Sequence, residues 1–166
     1  MFQIAPKGRF GRIILGRIIL FAGVALSASL MASGVFAGEC PADQVKPDAT
    51  KPVEVGHDGV TDTVIAMIDV DKEQGIKDRK FRLRKLVVQP GGTVPWHSHG
   101  ERPAIIYIVQ GEIVEYASNC AVPIVHKAGE VIAETKEISH WWKNTGDKTV
   151  VLLSADLLKD ANDHNM

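Results

Sequence analysis

Helix-forming pattern is what this chain has least of. Beyond its first 40 residues no amphipathic helix of ordinary length can be drawn, which excludes a helical bundle and leaves strands to build the core. Acidic residues are absent from the first 37 positions, which hold Lys7, Arg9, Arg12 and Arg17. Cysteine is scarce, with Cys40 and Cys120 alone, so the chain closes at most one bridge of its own. Positive charge is also short outside that leading segment: residues 38–166 carry 15 basic against 20 acidic side chains, a formal charge of −5. That balance argues against nucleic acid and anionic lipid surfaces as partners.

The basic start is followed by an apolar run from Ile18 to about Met31 and by small residues ending Val35-Phe36-Ala37. This order is that of a secretory signal peptide spanning 1–37. Val35 and Ala37 suit the two small-residue positions of the peptidase, which places cleavage after Ala37. The mature chain is then exported, periplasmic or secreted, with no stable membrane insertion after cleavage. A competing reading is an uncleaved anchor, because Ile18 to Gly38 carries no charge over 21 residues, long enough to span. The Ser, Ala and Gly content of its second half favours the signal peptide. A lipid anchor on Cys40 is disfavoured by Glu39, which stands where a small residue is needed. In an oxidising compartment Cys40 and Cys120 are expected to pair, the alternative being two separate thiols. Pairing would close a loop of about 80 residues and contribute roughly 4 kcal/mol in the chain-entropy description.

Residues 38–59 hold prolines, glycines and charges without apolar periodicity and read as an extended N-terminal arm. From Val60 to Leu158 short β-branched stretches alternate with turns: Thr63–Val70, Lys80–Val88, Ala104–Val109, Glu112–Tyr116, Val122–His126, Glu130–Ala133, His140–Lys143 and Lys148–Ala155. Strands at this spacing predict an all-β sandwich or barrel over 60–158, with a short tail over 159–166.

The chemistry concentrates in Gly91-Gly92-Thr93-Val94-Pro95-Trp96-His97-Ser98-His99. On a strand the two histidines point the same way and can reach one ion. Gly91, five residues, His97-Ser98-His99 and Gly111 at the end of Tyr107-Ile108-Val109-Gln110 resemble the first cupin motif. Gly129, His140 and Asn144 resemble the second, with Lys127 where proline is usual. The resemblance implies a cupin jelly-roll β-barrel and makes His140 the remaining ligand beside His97 and His99. The glutamate of the first motif falls on Ala104, so the usual ligand set is incomplete.

Glu101 is then a candidate weak ligand or supporting group, and Tyr107 and Trp142 are candidate substrate contacts. Trp142 is expected to share the side of His140, while Trp96 and Trp141 face away. One divalent metal ion is implied, iron first, with zinc, manganese, nickel or copper as alternatives. Three neutral imidazoles leave the ion its full formal charge, which favours a small anionic ligand or substrate. Three-histidine cupins include dioxygenases, so the resemblance implies an oxygenase or other oxidoreductase. The alternatives are a non-catalytic ligand-binding or sensor barrel and a metal-assisted isomerase or lyase. It further implies a homodimer, with Glu39–Gly59 as the exchanging segment.

Other polar residues read as ordinary surface. His126, beside Lys127 at a turn, is expected to be exposed and lies outside the site, as do His57 and His164. Glu134 and Glu137 read as a solvated loop. Glu112, Glu115 and Tyr116, on the hairpin that follows Gln110-Gly111, are weaker candidates for proton transfer. Arg82, Arg84 and Lys85 are expected on the wet face of an amphipathic strand whose other face carries Phe81, Leu83 and Leu86.

Overall fold

The computed structural model describes residues 38–159; the expected signal peptide and all but Lys159 of the tail fall outside them. Nine strands form two antiparallel sheets. They are β1 (Val60–Asp69), β2 (Lys80–Val88), β3 (Thr93–Ser98), β4 (Ala104–Gln110), β5 (Glu112–Ala117), β6 (Ile124–Lys127), β7 (Val131–Glu134), β8 (Ser139–Lys143) and β9 (Val150–Leu158). The larger sheet runs β1-β2-β9-β4-β7 and the smaller β3-β8-β5-β6. The described helices are a 3₁₀ turn at Ala42–Gln44 and a five-residue α1 at Val70–Gln74. Both sheets turn one face inward, and Leu86, Val88, Ile106, Ile108, Ile113, Trp142, Val150 and Leu152 form the shared core. Burying side chains of this size stabilises by about 1.5–3 kcal/mol each.

The motif residues that bear no imidazole act on the backbone. Gly111 joins β4 to β5 at φ 86°, and a Cβ there would lie 3.0 Å from Val150 Cγ2 and 3.1 Å from the Thr149 carbonyl. Only glycine takes that turn without strain. Asn144 is fully buried. Its amide donates to the carbonyls of Val88 at 3.0 Å and Lys148 at 2.8 Å, tying the end of β8 to β2 and to the turn that leads into β9.

Strand β2 corrects the expected parity. Arg82, Arg84, Leu86 and Val88 are buried and point inward, whereas Phe81 is exposed and Leu83 half-buried. The inward direction is set by β9, whose Ser154 and Asp156 stand opposite Arg84 and Arg82. The arginines therefore face a hydroxyl and a carboxylate inside the barrel rather than solvent.

The arm lies against its own barrel. Cys40 and Cys120 form a disulfide across a sequence separation of 80. Val45 pairs with Cys120, and the amides of Lys46 and Ala49 donate to Asn119 and Ser118 at 3.0 and 2.8 Å. These contacts hold the arm along the Ser118–Cys120 turn.

Candidate metal centre

His97 on β3 is the register partner of His140 on β8. His99 follows β3 directly, with its amide donating to the Ile138 carbonyl at 3.1 Å. A register shift between Val94 and His97 rotates the end of β3. The three Nε2 atoms converge, each 3.1 Å from the other two. On the far side of each ring, Nδ1 meets an acceptor: the Pro95 carbonyl for His97 and the Arg102 carbonyl for His99, both at 2.9 Å. His140 Nδ1 makes a short hydrogen bond to Glu115 Oε1. A ring nitrogen facing an acceptor must carry the hydrogen, which leaves the other as a bare lone pair.

Three lone pairs at 3.1 Å cannot hydrogen-bond to one another. Burial would lower the pKa of His140, but the Glu115 hydrogen bond and Glu134 raise it, and a proton there still leaves the His97–His99 contact without a hydrogen. Burial and the neighbouring His140 push the pKa of His97 down to about 2, and the same causes push that of His99 down to about 4. A cation resolves the conflict. An ion about 2.0–2.1 Å from each nitrogen sets them about 2.9 Å apart at right-angled and about 3.3 Å apart at tetrahedral bond angles. The observed spacing falls between, so the residues fit a single first-row divalent ion held by His97, His99 and His140.

Behind His140 sits a buried network, of which the sequence offers only Glu115, as a weaker candidate for proton transfer. Glu115 comes from β5 and His126 from β6, both pointing inward. His126 is fully buried, not exposed at a turn, and its Nε2 lies 2.7 Å from Glu115 Oε2. Burial alone would raise the pKa of Glu115, but hydrogen bonds from His126 and His140 outweigh it and hold it near about 2. The ionised carboxylate therefore accepts a hydrogen bond from Nδ1–H of His140 and fixes the ring's orientation. The indole of Trp142 stacks on His126 at 4.8 Å, and its N–H rests 3.1 Å from His140 Nδ1.

Glu134 is likewise buried rather than solvated, with neither carboxylate oxygen hydrogen-bonded and Oε1 3.6 Å from His140 Nδ1. Burial pushes its pKa up to about 7. Cross-strand packing decides these positions, and the only signal in the sequence was the alternation that gives Glu115 the inward parity of Ala117.

Two expected contacts lie elsewhere. Glu101 points to solvent, where its carboxylate meets the Lys159 ammonium at 3.1 Å and its carbonyl accepts from Arg79. Tyr107 is 42% exposed on the outer face of β4; alternation after the buried Ala104 and Ile106 carries it away from the histidines. Trp142 shares the inward side with His140, while Trp141 turns away to stack on Tyr116 at 4.1 Å. Ala104 is buried and presents no carboxylate. A small cavity of about 30 Å³ adjoins the three histidines and Trp142, with Leu86, Ile106 and Leu152 on its walls and Arg84 and Ser154 beside them.

Two antiparallel sheets closed over an inward-facing histidine triplet define a jelly-roll barrel of the ligand-holding kind. The chain belongs to the cupin superfamily, and its residues 84–156 match the model of the cupin domain. Among curated proteins it is 28% identical over 91 residues to germin-like protein subfamily 2 member 2 of Arabidopsis thaliana, covering 52% of this chain and 41% of that one. It is 25% identical over 96 residues to nectarin-1 of an ornamental tobacco hybrid (Nicotiana langsdorffii x Nicotiana sanderae), covering 56% and 42%. The chain thus spans less than half the length of these relatives.

Among solved structures it resembles a Thermotoga maritima protein described as a predicted oxalate decarboxylase. That match has a TM-score of 0.50 at 21% identity and covers 72% of this chain and 98% of the other. A Klebsiella pneumoniae protein with a double-stranded β-helix domain matches at TM-score 0.50 and 16% identity, over 66% and 86%. At these identities the structural matches speak to the fold.

Proposed function

We propose that this chain is an exported metal-dependent cupin in which His97, His99 and His140 hold one divalent ion, iron first, and that it acts on a small anionic molecule as an oxygenase or related oxidoreductase. The convergence of three imidazole Nε2 atoms at 3.1 Å carries this reading. A three-histidine ion would supply Lewis acidity, open coordination positions and, if redox-active, electron transfer. The chain's own part is to fix the imidazole tautomers through Pro95, Arg102 and Glu115, and to keep the space beside the histidines narrow and largely apolar through Leu86, Ile106, Leu152 and Trp142. No Asp or Glu lines that cavity among the described residues, so the general acid or base of an isomerase or lyase has no evident carrier. That observation favours metal-centred chemistry or ligand binding.

The test is elemental analysis of untagged protein from the exported fraction, followed by oxygen uptake of the iron-loaded form. About one iron per chain with oxygen uptake on a thiol, diketone or phenolic acid is the expected result. One metal per chain without uptake across these classes removes the oxygenase and leaves a binding barrel.

Export is supported by the disulfide, which belongs to an oxidising compartment. Among the described residues no helix is long and apolar enough to cross a membrane. A homodimer is supported by the outer face of the larger sheet, where Ile68, Phe81, Ile105, Tyr107 and Val131 are each between 42% and 62% exposed. Apolar side chains gathered on one face mark an interaction surface. Light scattering is expected to give twice the chain mass, and Phe81→Glu to shift it toward that of one chain; a wild-type protein of single-chain mass would refute the dimer.

A further inference from the structure

The cavity beside the histidines has a second polar end whose composition is costly unless something binds there. Arg84 lies on β2 and Ser154 stands opposite it on β9. Both are buried, with exposures of 5% and 1%, and both line the cavity that the three histidines adjoin. Around them the walls are Leu86, Ile106 and Leu152. A guanidinium among aliphatic side chains must find acceptors for its five N–H groups.

Asp156 does not account for the presence of Arg84. Its carboxylate is already gripped by the fork of Arg82, with Nε to Oδ1 at 3.0 Å and Nη2 to Oδ2 at 2.7 Å, whereas Arg84 Nη2 stands 3.5 Å from Oδ2. Arg84 spends one donor well, from Nη1 to Asp62 Oδ2 at 2.7 Å. Its Nη2 contact to Ser154 Oγ is long, at 3.4 Å, and its buried Nε has no hydrogen-bond partner. An underused guanidinium and a hydroxyl in cross-strand register, sharing a cavity with three imidazoles, match the donor pattern that recognises a carboxylate.

We infer that Arg84 and Ser154 form the carboxylate-binding end of the cavity, and that its ligand is a small carboxylic acid whose other end lies toward His97, His99 and His140. The cavity volume is about 30 Å³, room for about two to three water-sized groups, which restricts the ligand to acids of formate or acetate size. This inference rests on the proposed function for the histidine end alone. Binding of a carboxylate by Arg84 does not itself require the metal.

The experiment is calorimetric titration of acetate and of its neutral isostere acetamide into wild type, Arg84→Met and Ser154→Ala, each metal-loaded and metal-stripped, with metal content measured on the same samples. Wild type is expected to bind acetate, Arg84→Met to bind it at least about tenfold and Ser154→Ala about threefold more weakly. Acetamide is expected to show no such difference, and metal content to be equal in all three. Ser154→Ala removes one oxygen and keeps the test valid if Arg84→Met does not fold. Acetate affinity unchanged in the variants, or no acetate binding by wild type, overturns the inference. Wild type without metal but with the same loss of acetate affinity in the variants would overturn the histidine reading and leave Arg84 in its role.

Discussion

Alanine at His97 is expected to take the metal content from about one ion per chain to a small fraction of that, and His140→Ala to do the same, whereas His57→Ala leaves it unchanged. The expectation follows from ligand number. Among the described residues three imidazoles are the donors that converge at this point, so removing one leaves two, and no carboxylate from the Ala104 position replaces it. His97 is the cleaner probe, because among the described residues its ring's one partner outside the histidine triplet is the Pro95 carbonyl. His140 also anchors the Glu115 network, so its loss disturbs packing as well.

Glu115→Gln should fall between the two extremes, weakening metal affinity about 10- to 100-fold, since orienting partners of ligating histidines carry effects of that size. It keeps the shape but removes the ionised acceptor that holds His140 in its tautomer. Inductively coupled plasma analysis after dialysis against a graded chelator reads the whole series. Full retention in both His97→Ala and His140→Ala would remove the three-histidine assignment.

What the sequence revealed of this molecule was whatever a period of two could carry locally. His97 and His99 share a side because they are two apart, and Gly111 and Asn144 keep their spacing to the histidines because the turns at the ends of β4 and β8 need them. Trp142 could be placed beside His140 by the same alternation. The parity of β2 could not. Phe81 and Leu83 lie on one face and Leu86 and Val88 on the other, so both faces carry apolar side chains and local pattern gives two answers. Asp156 on β9 breaks the tie, 74 residues away along the chain from Arg82.

The burial of His126, Glu115 and Glu134 was illegible for a related reason, although Glu115 stood among the candidates for proton transfer. Each is a polar residue on a short strand, and such residues are usually exposed. What buries them is one another, through contacts across strands and between the two sheets. Glu101 erred in the opposite direction: closeness in sequence to His99 suggested a contact, but the turn through Gly100 sends its carboxylate outward to Lys159. Buried polar side chains in this barrel are thus divided into two groups, Glu115, Glu134 and His126 behind His140, and arginines with Asp62 and Asp156 on the larger sheet. The cavity lies where the arginine side meets the histidines.

Asp156→Ala is expected to destabilise the protein by about 3–5 kcal/mol, the cost of leaving a buried charge without its partner. The site is more exacting than an isolated pair. Asp156 is 1% exposed and receives the Arg82 fork at 3.0 and 2.7 Å, with Arg84 and Arg102 at 3.5 and 3.7 Å from the same Oδ2. Removing the carboxylate leaves guanidinium charges facing one another in a low-dielectric interior, where their repulsion is poorly screened.

Asp156→Asn should lie between alanine and wild type, because it keeps an acceptor but not the charge. Breaking the exposed Glu101–Lys159 pair by Glu101→Ala should leave the denaturation midpoint almost unmoved, since solvent-exposed ion pairs contribute little. Equilibrium urea unfolding of the disulfide-bonded protein separates these cases, with the slope checked so that a shift in midpoint reports stability alone. An Asp156→Ala midpoint equal to that of Glu101→Ala would mean that water reaches the arginine cluster. In that case the larger sheet would not enclose Arg84 as tightly as carboxylate recognition requires.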